Sequence, residues 1–133
     1  MNTSIRAFVI ILLVLLGISA VGGGLVLILD PSGGLMHLPI GFLETTPFDS
    51  YLLPGIVLVI VNGIPSLVIS ITMIRSKRSF PMLIFIQGSI LVGWLTIQLM
   101  MNKEFFYAPM HYLCYTIGIL LLTLGFWLRN SKD

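Results

Sequence analysis

The sequence has very little charge. Only 9% of its 133 residues are Asp, Glu, Lys or Arg, whereas 57% are hydrophobic. A soluble domain usually carries about 25% charged residues and about 45–50% apolar ones. A small soluble fold leaves much of its surface in water and cannot hide so many apolar side chains, whereas lipid can solvate them. The composition therefore excludes an ordinary soluble domain.

Cysteine and histidine are also scarce. The single cysteine, Cys114, excludes an internal disulfide, a Cys-x-x-Cys redox pair and a thiolate metal cage. The two histidines, His37 and His111, fall on the same side of the chain's predicted topology, and one lies in a loop, which argues against a haem. The seven Lys and Arg residues do not form the cluster that a nucleic-acid-binding surface needs. We therefore expect no metal, no cofactor and no nucleic-acid partner.

Four long stretches contain no Asp, Glu, Lys or Arg, and each can cross the hydrocarbon core as a helix of about 20 residues. They must be helices, because a lone segment in lipid has to satisfy its own backbone hydrogen bonds. The predicted helices 1 to 4 cover residues 7–29, 51–74, 80–102 and 108–128. The sequence thus predicts an all-α membrane protein, a single domain over residues 1–133 folded as a four-transmembrane-helix bundle, whose first helix is not a cleaved signal peptide.

The basic residues predict the orientation of these helices. Basic residues concentrate on the cytoplasmic side of membrane proteins. In a four-span topology only Lys103 falls on one side. The other side carries Arg6, Arg75, Lys77, Arg78, Arg129 and Lys132. We therefore expect a multi-pass protein of the cell membrane with both termini in the cytoplasm.

The connection between helices 1 and 2 is long and unusually apolar. Residues 30–50 open with the turn sequence Asp-Pro-Ser-Gly-Gly and continue with the apolar run Leu35–Leu43. A disordered loop would be polar. The sequence therefore predicts a long structured outer loop that packs over the outer end of the bundle. The alternative is a segment that lies in the membrane interface.

Amides and hydroxyls lie near the middle of helices 2 and 3. We expect Asn62, Ser66 and Gln87 to make interhelical polar contacts, as such groups usually do in membranes. A polar ligand or an ion path is the alternative. Pro65 predicts a kink in helix 2, because it lacks a backbone N–H and crowds the preceding turn.

Small residues predict where helices approach each other closely. Helix 1 carries a stripe of Gly17, Ala20 and Gly24, which is typical of close helix packing in membranes. Folding helices 2 and 3 into a hairpin places Ser66 of helix 2 opposite Gly88 of helix 3.

Two pairs of polar and aromatic residues mark the outer half of the bundle. Trp94 and Gln98 share a face of helix 3, and His111 and Tyr115 share a face of helix 4. Folding helices 3 and 4 against each other brings the four together as a candidate ligand-binding site. The alternative is an interfacial aromatic belt with the histidine at the level of the lipid headgroups.

The segment Thr46–Gly55 carries a Pro-Phe pair before helix 2 and a Pro-Gly pair that opens it. With Gly93-Trp94 and Gln98 of helix 3, it resembles a group of small, uncharacterised four-helix bacterial integral membrane proteins. The layout, with its long first outer loop, is also similar at fold level to the DoxX-type proteins. The resemblance implies a fold and no particular activity.

Two classes of function follow. The first is a non-catalytic accessory or partner-binding protein in the lipid bilayer, whose partner is another membrane protein or a second copy of the chain. The second is a binder or transformer of an apolar lipid- or quinone-like molecule in an outer-leaflet pocket. No span carries a carboxylate or a basic residue, and the serines of helix 2 lie far from His111 in the predicted topology. We predict no catalytic residue and favour the first class.

Overall fold

The protein is described by a computed structural model in which residues 3–32, 50–76, 80–101 and 108–130 are placed. These residues form four long helices and no strand. The helices are α1 (Thr3–Leu29), α2 (Leu52–Ser76), α3 (Pro81–Met101) and α4 (Ala108–Asn130). Each begins and ends within four residues of the bounds predicted from the sequence. The predicted all-α four-helix fold is confirmed for the described parts of the chain.

All four helices are long and apolar enough to cross a membrane. Their outward faces carry large apolar side chains that the bundle leaves exposed, such as Ile18, Ile64, Ile97 and Ile119. Such surfaces would be costly in water, and lipid tails cover them at no cost. Length, composition and surface therefore agree with a multi-pass membrane protein.

Helices α1 and α2 form one closely packed antiparallel pair. A Cβ atom added to Gly24 would lie 2.7 Å from the carbonyl oxygen of Gly55, and one added to Gly17 would lie 3.2 Å from the carbonyl oxygen of Gly63. The two backbones meet where both helices lack a side chain, which allows dispersion contacts that larger residues would prevent. The predicted close packing of the Gly17–Gly24 stripe is confirmed, and Ala20 between them is buried.

Helices α3 and α4 form the second pair. A Cβ atom on Gly88 would lie 2.5 Å from the backbone nitrogen of Leu122 and 2.7 Å from the carbonyl oxygen of Gly118. The expectation that Gly88 faces Ser66 of α2 is therefore wrong. Gly88 packs on the backbone of α4 beside Gly118, and one turn further along the same pair Gly125 of α4 packs on the backbone of Phe85.

The two pairs meet in an apolar core. Its fully buried members come from all four helices and include Val9, Leu13, Met73, Ile84 and Leu121. Contacts between α2 and α3 are sparse compared with those inside each pair. The bundle is thus two tight helix pairs joined through a shared core.

The C-terminal end of α1 and the N-terminal end of α2 are tied together. The backbone N–H of Tyr51 donates to the carbonyl of Pro31 over 2.8 Å. The Tyr51 side chain is buried, and burial raises the pKa of its phenol. The outer loop predicted to cap the bundle, residues 33–49, lies outside the described residues.

Candidate functional site

A cluster of buried polar side chains lies inside the bundle, on α2 and α3. Asn62, Ser66 and Ser70 are spaced one turn apart on α2, so they share one face. Gln87 comes from α3. All four side chains are at most 2% exposed. Polar groups this deep in a membrane protein need hydrogen-bond partners, since lipid offers none.

Pro65 explains the contact that joins α2 to α3. In an α-helix the carbonyl of Val61 would accept the N–H of residue 65, which proline lacks. The Nε2 of Gln87 donates to this carbonyl over 3.2 Å. The backbone just before Pro65 is π-helical, over Leu58–Gly63, where the sequence alone predicted a kink. A π-helical turn widens the helix locally, and such turns are frequent at functional sites.

The two serines bond within α2. Ser66 Oγ donates to the carbonyl of Asn62 over 2.6 Å, and Ser70 Oγ donates to the carbonyl of Leu67 over 2.8 Å. The interhelical contact expected of the Ser66 hydroxyl is thus replaced by an intrahelical one. The carbonyl one turn earlier is always within reach of a helical serine, so it competes successfully with a more distant helix.

Asn62 differs from its neighbours in the cluster. Its side chain is fully buried, and neither Nδ2 nor Oδ1 has a hydrogen-bond partner among the described residues. The interhelical contact expected of Asn62 is therefore not formed by any described group. An unsatisfied buried polar group costs about 1–3 kcal/mol, and such a group in a native protein calls for an explanation.

The four outer residues occupy two kinds of environment. His111 is fully buried, whereas Trp94, Gln98 and Tyr115 are half-buried. The Tyr115 hydroxyl lies 3.0 Å from Thr96 Oγ1 and donates to it, because the hydrogen of Thr96 is used on the carbonyl of Val92. Thr96 is two residues from both Trp94 and Gln98, about 200° around the helix. The hydroxyl of Tyr115 therefore points to a different face of α3 from the one that carries Trp94 and Gln98.

The contact between Thr96 and Tyr115 was not predicted from the sequence. Thr96 is a polar residue in the C-terminal half of α3, and that property could have marked it as a partner for Tyr115. Its own hydroxyl also donates to the carbonyl of Val92 over 2.8 Å. This pairing leaves Trp94, Gln98 and His111 as the remaining candidates for a ligand site. The Nε1 of Trp94 is buried and has no hydrogen-bond partner in the described part of the chain.

The chemistry that these residues offer is hydrogen bonding. No group of three or more His, Cys, Asp or Glu residues within the described ranges could hold a metal ion. The buried polar side chains of α2 and α3 are amides and hydroxyls, which do not change protonation at physiological pH. They can orient a neutral molecule or another helix.

The fold and this interior define an all-α protein with four potential membrane spans. Comparison of the chain with protein-family models, curated proteins and solved structures finds no match. The resemblance to small bacterial four-helix membrane proteins and to the DoxX type stays a prediction from the motif residues.

Proposed function

We propose that this chain is a non-catalytic, multi-pass protein of the cytoplasmic membrane that binds another transmembrane helix, from a partner protein or a second copy. The main observation in support is the open space beside Gly93 in the middle of α3. A Cβ atom added to Gly93 would meet nothing within 4 Å. Most other glycines of the four helices lie against a neighbouring helix, namely Gly17, Gly24, Gly55, Gly63, Gly88, Gly118 and Gly125.

A glycine in mid-helix is costly unless it permits a close contact. It lowers helix stability by about 1 kcal/mol relative to alanine. Ser89 lies one turn before Gly93, and its hydroxyl is occupied by a bond to the carbonyl of Phe85 at 2.9 Å. The two form a small-x-x-x-small pair flanked by the exposed side chains of Ile86 and Ile97. Such pairs let the backbone of a second membrane helix approach.

The association is tested with two leucine variants at open positions. Gly93→Leu fills the proposed contact, whereas Gly22→Leu fills an equally open position on α1. Both variants should fold, since nothing lies within 4 Å of either added Cβ. We expect Gly93→Leu to lose the partner in gentle detergent co-purification, or the second copy in single-molecule photobleaching in nanodiscs. Retention of the same stoichiometry in Gly93→Leu would contradict the proposal, as would a loss confined to Gly22→Leu.

The orientation in the membrane forms part of the proposal. Six of the seven basic residues fall on the side that holds both termini, which supports a cytoplasmic location for that side. A C-terminal reporter that is active only outside the cytoplasm should be silent. An active reporter would require a different number of spans or the opposite orientation.

A second candidate, binding of an apolar molecule with a hydrogen-bond-accepting head, is favoured by Trp94. Its buried Nε1–H has no described acceptor, and Gln98 lies one turn further out on the same face. A carbonyl oxygen of a lipid or quinone would accept this bond. One hydrogen bond of about 1 kcal/mol corresponds to about a fivefold change in affinity.

Native mass spectrometry can test this candidate. Trp94→Phe removes the N–H and keeps most of the ring, and Trp127→Phe makes the same change at an exposed position. A bound apolar molecule should be depleted several-fold in Trp94→Phe and retained in Trp127→Phe. Equal occupancy in both variants would argue against the site.

A further inference from the structure

The side-chain amide of Asn62 makes no hydrogen bond to any described group. It is 0% exposed, and both the donor Nδ2 and the acceptor Oδ1 lack a partner among the described residues. The backbone carbonyl of Asn62 accepts from Ser66, so only the amide group is left over. A buried amide of this kind points to a molecule that completes its hydrogen bonds.

The backbone beside Asn62 offers a further acceptor. The carbonyl of Val61 has no α-helical donor because residue 65 is proline, and Gln87 Nε2 uses only one of its two lone pairs. Asn62 and Val61 both belong to the π-helical stretch Leu58–Gly63. The π-helical stretch thus places the side-chain amide of Asn62 and the backbone carbonyl of Val61 on consecutive residues, at one level of the bundle.

We propose that the Asn62 amide and the Val61 carbonyl form a binding site for a small neutral molecule that both donates and accepts hydrogen bonds. Water and small amides share this chemistry. The guest accepts from Nδ2 and donates to Oδ1 or to the carbonyl of Val61. The Asn62 side chain is 0% exposed, so a molecule bound to it would lie inside the bundle, out of contact with bulk water.

The guest is neutral for two reasons. Neither α2 between Leu52 and Ile74 nor α3 contains a charged residue, so an ion would be buried without a counter-charge. The N–H groups of Asn62 and Gln87 oppose a cation, and the oxygens of Asn62 and Val61 oppose an anion. This site lies inside the bundle and is independent of the outward surface around Gly93.

The test uses the side-chain amide of Asn62 in the full-length protein. The chain has four asparagines, and replacing the other three by serine leaves Asn62 as the only one: Asn2→Ser, Asn102→Ser and Asn130→Ser. In nanodiscs of deuterated lipid, NMR cross-peaks between this amide and water report occupancy by water. Formamide is then added at a non-denaturing concentration as the probe for a small amide.

We expect a cross-peak between the Asn62 amide and water. If formamide leaves it unchanged, water is the guest. If formamide removes the cross-peak with a saturable shift of the Asn62 resonances, the site takes small amides as well. Asn62→Leu should abolish both signals, and the wild-type measurement stands even if that variant does not fold. An amide in contact with neither water nor formamide would overturn the proposal.

Discussion

The α1–α2 and α3–α4 pairs solve the same packing problem with different regularity. Both bring two backbones together at glycines, Gly24 with Gly55 in one and Gly88 with Gly118 in the other. The α3 and α4 helices remain α-helical throughout, whereas α2 contains a π-helical stretch and an internal proline. Close packing therefore does not require regular helices.

The difference shows where the bundle concentrates its polar chemistry. Three buried polar side chains lie on the irregular α2, and regular α3 supplies the Gln87 that completes one carbonyl of α2. Buried polar side chains are thus concentrated on the irregular helix, although the Nε1 of Trp94 on regular α3 also lacks a partner among the described residues. The predictions below test this contrast, beginning with the largest expected effect.

Gly88→Ala should damage the α3–α4 pair most severely. The new Cβ would lie 2.5 Å from the nitrogen of Leu122 and 2.7 Å from the oxygen of Gly118, and backbone atoms cannot move without shifting the helix. We expect a loss of about 3 kcal/mol or more, at the upper end of overpacking effects. The measurement is unfolding by SDS titration followed by far-UV circular dichroism. Gly22→Ala, at an open position outside the proposed contact, is the control and should be neutral or stabilising by up to about 1 kcal/mol. Equal stability of the two variants would refute the assigned packing.

Gly24→Ala should weaken the α1–α2 pair less. Its Cβ would clash with a methyl group of Val59 and would lie 2.7 Å from the carbonyl oxygen of Gly55, so one of the two closest contacts is a side-chain atom, whereas both are backbone atoms at Gly88. We expect a loss of about 1–3 kcal/mol in the same titration. Gly22→Ala, two residues away in open space, should show no loss. A larger loss for Gly24→Ala than for Gly88→Ala would reverse our ranking of the two pairs.

Gln87→Leu should cost about 1 kcal/mol, because it removes the side-chain donor to the part-buried carbonyl of Val61. Pro65→Ala restores a backbone N–H that can reach this carbonyl in an α-helix. In the Pro65→Ala background the cost of Gln87→Leu should therefore shrink. A double-mutant cycle on the unfolding free energies measures this coupling. Strict additivity would mean that Gln87 does not act through the carbonyl freed by proline.

Tyr115→Phe should have the smallest effect. It removes the hydroxyl that pairs with Thr96 on an exposed part of the α3–α4 surface. Interhelical hydrogen bonds in membrane proteins average about 0.6 kcal/mol. The unfolding free energy of Tyr115→Phe should fall by about that amount, and Thr96→Val should cause a similar loss. Because both variants remove the same hydrogen bond, the double variant should lose less than the sum of the two single losses. A loss as large as that of Gln87→Leu would place Tyr115 in a more demanding role.

Several details of the site were accessible from the sequence and others were not. Pro65 in an apolar helix predicts an irregular backbone, and Gln87 at membrane depth predicts a hydrogen bond to another helix. Neither residue shows that the disturbance is a π-helical turn or that the carbonyl of Val61 is the acceptor. Likewise, Tyr115 signals a polar contact, but its choice of Thr96 over Gln98 depends on how α3 and α4 are rotated.

The sequence by itself determined the four helices, their apolar outward surfaces and the small-residue stripe of α1. These features depend on local composition and on the 3.6-residue period, which neighbouring helices do not alter. Only the tertiary structure decided that Gly88 meets α4, that Gln87 reaches Val61 and that Asn62 is buried without a described partner. One residue along a helix turns a side chain by about 100°, so the rotation of each helix against its neighbours decides every such contact.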